Sequence, residues 1–170
     1  MKKIILALTA IITLTSCNQQ KIGYIDNGKV INEIQEKKDI EIKYKVKEDA
    51  FNAKADSLDK TIQLEAQEFQ LKAQRMSKSN QEKAYQELVQ KKQLQDQRLQ
   101  FEKQQLSQAF RKDIDSVIVK VKDHVREYGK ANGYTYILGT SDAAASVIYG
   151  KDEQDLSQLV IEALDLEYKK

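Results

Sequence analysis

A thiol, an imidazole and two neighbouring carboxylates are the side chains of this sequence best suited to chemistry. His124, the single histidine, falls at helical spacing beside Val121 and Tyr128, and nothing in the sequence supplies it with a nucleophile partner. It reads as a helix-face or interface histidine near a helix C-terminus, where a positive charge is favoured. Asp113 and Asp115 are too close in sequence to share a helix face and read as solvated charge. There is no phosphate loop, no Cys/His metal spacing and no nucleophile elbow, so neither an enzyme nor a bound metal or cofactor is expected. Cys17 is the single cysteine, which excludes a disulfide within the chain.

The surroundings of Cys17 give it a different chemistry. Met1, Lys2 and Lys3 make a positive start, and Ile4 to Leu14 form an apolar run. A run of about eleven residues has the length of a signal-peptide core and falls short of the roughly twenty needed to span a bilayer as a helix. Thr15 and Ser16 then lead into the cysteine. Leu14-Thr-Ser-Cys17 resembles the lipobox of bacterial lipoproteins. That resemblance implies cleavage after Ser16, with residues 1–16 as the signal peptide, and a diacylglyceryl group on the Cys17 thiol. A buried core cysteine is hard to reconcile with a place at such a junction. Asn18 rather than Asp follows the cysteine, which favours the outer membrane as the site of the anchor.

Composition narrows the class further. The sequence has 170 residues, 32% of them charged, with no Pro, no Trp and 6 Gly, a profile of long uninterrupted helices. Its 28 basic and 26 acidic side chains become 26 and 26 once Lys2 and Lys3 leave with the signal. Without a basic excess there is no electrostatic case for nucleic acid.

Three regions must position whatever the mature chain does. Residues 17–28 carry a strand, Lys21 to Asp26, stopped by Asp26-Asn27-Gly28, and Asp26 or Asn27 is placed to cap the next helix. Residues 29–128 contain neither Pro nor Gly. Ile40, Tyr44, Phe51, Ala55, Leu58, Ile62, Ala66, Phe69, Ala73 and Met76 lie three, four or seven residues apart, on one helical stripe. Leu106, Phe110, Ile114, Val117, Val121, Val125 and Tyr128 repeat the pattern. The polar break between the stripes puts a turn near residues 77–81, where Ser79 and Glu82 have capping-box spacing. An antiparallel helical hairpin follows, each arm about 70 Å long at 1.5 Å per residue. In Gln86 to Gln105 the apolar residues Leu88, Val89, Leu94, Leu99 and Phe101 keep no single seam.

Residues 129–170 resume mixed structure. Gly129 and Asn132-Gly133 end the helix, Tyr134 to Leu138 and Ser146 to Tyr149 are expected strands, and Leu156, Leu159, Val160, Ala163 and Leu164 mark an amphipathic closing helix. The fold class is therefore α+β: a small β body built from the two ends of the chain, with a long helical hairpin inserted. So few strands bury too little surface to stand alone, which calls for oligomerisation through the body.

KIGYID, a long polar hairpin, GYTYILG, SVIYG and DLSQLVIEAL in this order resemble the Skp/OmpH family of periplasmic chaperones. Asp155-Leu156-Ser157 matches the family's step into the last helix. The resemblance implies a homotrimer with a β-barrel-like body and three helical arms around a cavity. Unfolded outer-membrane proteins would be held there without ATP and kept from aggregating in the periplasm. On that reading Ile22, Tyr24, Ile25, Tyr136, Leu138, Val147 and Tyr149 form the oligomer body. Phe51, Leu58, Ile62, Phe69, Met76, Leu99 and Leu106 meet clients on the arms. Well-known members are strongly basic and many are soluble. A neutral, lipidated member is expected to work at a membrane surface and to rely on apolar contact more than on charge. The rival expectation is an envelope scaffold lipoprotein whose arms hold one folded partner.

Overall fold

The computed structural model describes residues 20–141 and 144–169, so the signal segment 1–16 and Cys17 lie outside the described residues. In chain order the elements are β1 (Ile22–Asp26), α1 (Asn27–Glu33), α2 (Gln35–Ala73), α3 (Lys78–Ala131), β2 (Tyr136–Thr140), a 3₁₀ turn (Asp152–Gln154) and α4 (Ser157–Tyr168). They fall into two units, one from Glu33 to Lys120 and one drawn from the two ends of the chain.

In the unit made from the ends, β1 and β2 pair in parallel, from Ile22 opposite Tyr136 to Asp26 opposite Thr140. Parallel strands need a long crossover connection, and here the whole hairpin is that connection. Asp26 ends β1 and starts α1, because its carboxylate accepts the Lys29 N–H at 3.0 Å, an N-cap bond. Ile25, Val30, Val121, Leu156, Val160 and Ile161 are the buried apolar residues of this unit. The end of α3 carries the expected glycine: Gly133 has φ 68°, and the Tyr134 N–H reaches the Gly129 carbonyl at 3.0 Å. This left-handed stop satisfies carbonyls that the helix leaves unpaired. Of the expected stripe, Leu156 at the N-cap of α4 and Val160 are buried, Ala163 and Leu164 are half-buried, and Leu159 is exposed while Ile161 is buried. The helix start meets β1 where the Leu156 N–H donates to the Tyr24 carbonyl at 2.8 Å.

Among the described residues the sheet has two strands, so one chain does not close the barrel-like body expected. Ser146 to Tyr149 is irregular rather than a strand. Ile148 and Tyr149 are 94% and 86% exposed: β-forming side chains do not make a strand without a partner to pair with.

In the hairpin unit, α2 and α3 run 39 and 54 residues, joined by residues 74–77. Ser77, not Ser79, is the cap, its hydroxyl accepting the Asn80 N–H at 3.4 Å, while Ser79 sits inside the first turn of α3. A break at Ile34 (φ −64°, ψ 141°) separates α1 from α2 where a continuous helix is expected. Ile34 is buried, so one extended residue turns an apolar side chain inward without Gly or Pro.

Candidate functional site

The arm has two unlike edges. Glu36–Lys120, Lys43–Asp113 (3.0 Å), Lys54–Glu102 (2.6 Å) and Glu65–Lys91 bridge the helices, and the two residue numbers in each pair give the same total. Neither helix slips by a residue over this length. Along α2 the paired positions lie 7, 11 and 11 residues apart, spacings that return to the same helix face. These pairs therefore line one edge. Asp113 is tied most closely, accepting from Lys43 and from the Tyr44 hydroxyl, each at 3.0 Å. The Lys43 ammonium, then the Tyr44 hydroxyl, holds its carboxyl below the usual carboxylate range. Burial, then Asp113, raises the Tyr44 phenol.

The other edge opens as a groove of about 490 Å³ with Tyr44, Phe51, Leu106 and Phe110 in its lining and Glu41, Lys45, Glu48 and Lys103 among its polar residues. The Tyr44 and Phe110 rings meet edge to face, with centroids 5.2 Å apart. Closer to the turn, Lys92 bridges to Asp59 at 3.3 Å and to Asp96 at 2.7 Å. In the same stretch the Gln95 side-chain amide nitrogen is buried without a hydrogen-bond partner among the described residues. Gln95 stands seven residues after Leu88 and four before Leu99, so a polar side chain occupies an apolar seam position.

Most of the expected client-contact residues are where the helices meet each other. Ile62 is buried, and Phe51, Leu58, Phe69, Leu99 and Leu106 are half-buried. Phe69 packs near Tyr85, with centroids 6.2 Å apart. Phe51 and Leu106 also open into the groove, and Met76 is exposed at the turn. Further large apolar side chains of the hairpin unit face water: Ile42, Val46, Leu64, Leu71, Tyr85, Leu94, Phe101 and Val119, with Leu71 75% and Phe101 62% exposed. Ile42, Val46, Leu64 and Leu71 recur at 4, 18 and 7 residues, on the helix face opposite the seam. Falling outside the seam repeat is the signal in the sequence that marks these residues as outward-facing.

In the end-built unit, Ile22, Tyr136, Leu138 and Tyr149 are exposed. Val147 and Tyr24 are half-buried. Ile25 is buried within its own chain. Partial burial and the nearby Asp155 and Asp152 carboxylates raise the Tyr24 phenol. A Cβ on Gly150 would stand 2.4 Å from the Tyr24 ring, so only glycine lets the 146–150 segment lie so close to β1. Ser157 is fully buried. Its hydroxyl accepts the Asp26 N–H at 2.8 Å and donates to Asp155 at 2.5 Å, while Asp155 also takes the Ser157 N–H at 2.8 Å. His124 Nδ1 lies 3.3 Å from Glu167, and its Nε2 is buried without a partner among the described residues.

Residues 21–164 match the family model described as outer membrane protein (OmpH-like). The chain belongs to the OmpH-like family. Residues 1–18 match a prokaryotic membrane lipoprotein lipid attachment site. The fold is similar to a crystal structure from Caulobacter crescentus whose protein is provisionally named an outer membrane chaperone (OmpH-like). The TM-score is 0.78 over 87% of this chain and 85% of that one, at 14% identity. No curated protein matches the sequence. The hairpin arm and parallel strand pair of this OmpH-like chain are thus the family's fold, and residues 1–18 give it a lipid attachment site. No described helix is long and apolar enough to cross a membrane.

Proposed function

We propose that this OmpH-like protein is an ATP-independent holdase, anchored through a lipidated Cys17 at the periplasmic face of the outer membrane. In this role it binds unfolded outer-membrane proteins and prevents their aggregation. The observation that carries the reading is the division of labour on the arm. Seam and edge contacts hold the helices together, while Ile42, Val46, Leu64, Leu71, Leu94 and Phe101 remain in water. Singly exposed apolar residues are ordinary, but several large ones on a structure that gains nothing from them suit weak contact with varied apolar chains. Phe51 and Leu106 add to the client surface through the groove, and Met76 at the turn.

A homotrimer completes the reading. Two strands are too few to stand alone, and Ile22, Tyr136, Leu138 and Tyr149 offer apolar surface to further copies. Several arms around one client raise its effective concentration without a specific sequence. The test uses the mature chain carrying Cys17→Ser, mixed at near-stoichiometric trimer with several unrelated unfolded outer-membrane proteins, with mass measured alongside. Suppressed aggregation of all of them by a trimer is expected. A monomer without protection would sink both parts, and protection of none with tight binding of one folded partner would make the protein a scaffold.

A further inference from the structure

The end-built unit has a second groove, of about 470 Å³, between the C-terminal part of α3 and β2. Its lining includes Lys122, Arg126 and Lys130, spaced four residues apart, and it contains no carboxylate. In a mature sequence with equal numbers of acids and bases this is a strong local sorting of charge. Arg126 and Lys130 each keep an acid three residues back, Asp123 at 2.6 Å and Glu127 at 2.9 Å. Neither acid lines the groove. Tyr134, Thr135, Tyr136 and Ile137 line it from the β2 side. Tyr136 is exposed.

The position of this groove decides its occupant. The Lys21 carbonyl accepts the Thr135 N–H at 2.8 Å, the Lys21 ammonium donates to the Asn132 carbonyl at 3.0 Å and lies 4.1 Å from the centre of the Tyr134 ring. The described chain therefore begins beside the groove. Cys17 is four residues before Lys21, a reach of at most about 14 Å. A lipid on Cys17 brings this part of the unit within one short tether of phosphate headgroups. We infer that the Lys122/Arg126/Lys130 groove is a contact for the anionic headgroups of the membrane that holds the anchor. The inference rests on the lipid-anchored reading above. It adds that the body is oriented on the bilayer by charge as well as held there by acyl chains.

Each cation near an anionic surface strengthens binding roughly fivefold, so three give about a hundredfold at low salt. The full mature-length chain carrying Cys17→Ser, which cannot be acylated, is sedimented with vesicles of equal parts phosphatidylglycerol and phosphatidylcholine, and with phosphatidylcholine alone. The chain is expected to bind the mixed vesicles and not the neutral ones, and to be released as salt rises to about 0.5 M. Lys122→Gln/Arg126→Gln/Lys130→Gln should lose most of this binding. Lys60→Gln/Lys83→Gln/Lys112→Gln, an equal charge change on the hairpin, should keep it. Equal binding by both triple variants overturns the inference. So does binding abolished by millimolar inorganic phosphate, which would mark a site for free phosphate. A changed oligomeric mass in the groove variant with unchanged vesicle binding would make the groove a contact between copies instead. Acylation is read separately, from the mass of the wild-type protein extracted from membranes, so a missing anchor and a missing groove contact give different results.

Discussion

Ser157 joins β1 to α4 with one hydroxyl that both accepts and donates while fully buried. Ser157→Ala leaves the Asp26 N–H and an Asp155 oxygen without that partner. The expected cost is about 1–3 kcal/mol, seen as a lower midpoint in urea with unchanged slope. Ser157→Thr, which keeps the hydroxyl, should lose less than the alanine. Gln95 presents the opposite case, an amide nitrogen buried with nothing to bond. Gln95→Leu should raise hairpin stability by about 1 kcal/mol, or roughly 2–4 °C in a thermal melt. An unchanged or lower midpoint would mean that the amide is satisfied in solution. The family resemblance put Asp155 and Ser157 at the opening of the last helix. It could not show that Ser157 also serves Asp26, because that bond crosses more than a hundred residues of chain.

At the scale of elements, the arm carries a pH-dependent contact and an exposed apolar face. The Asp113 carboxyl is lowered by Lys43 and Tyr44. Its contribution is complete above the ordinary aspartate value of about 3.9 and is lost only as pH falls through the lowered folded value. Melts between about pH 5 and pH 8 should therefore show no change from Asp113→Asn beyond a constant offset, with the difference shrinking below about pH 4. The exposed residues predict a separation of properties. Leu64→Ser/Leu71→Ser/Leu94→Ser/Phe101→Ser should weaken protection of unfolded clients severalfold while moving the melting temperature little, since surface changes stay within about 0.5 kcal/mol each. Ile62→Ala should do the reverse, costing about 2–5 kcal/mol of hairpin stability. Both stripes are visible in the sequence as repeats of three, four and seven. Which residues are seam and which are outward is less so in Gln86 to Gln105, because Gln95 and Lys92 interrupt the apolar rhythm that would mark the seam. The break at Ile34 leaves no trace of Gly or Pro to read, and Ser146 to Tyr149 has the residues of a strand without the neighbour that makes one.

For the whole molecule, net charge proves a poor guide to local field. An equal count of acids and bases argues against nucleic acid and against capture by bulk attraction. It says nothing of how charge is distributed over faces, and three cations without a carboxylate around one groove are invisible to a sum. The family architecture was legible because it depends on element order, which the sequence carries directly. The expected barrel-like body is not part of that, because the described residues of one chain supply two strands. On the trimer reading, Tyr136→Lys/Leu138→Lys should convert the assembly to monomer by mass while leaving the helical content of the arm unchanged. Retained trimer would place the contact on another surface.

The pairing of β1 with β2 has a consequence in time. A chain that crosses a membrane from its N-terminus presents residues 22–26 first, yet their partners at 136–140 come last but for one helix. Helical turns need only near neighbours and can form as the arm emerges, whereas contacts so distant in sequence are slow to form. On the lipid-anchored reading, β1 stays throughout that interval an unpaired strand beside the anchor, the kind of exposed edge that aggregates. On the proposed reading, the newborn protein would thus pass during export through the state it guards against in others.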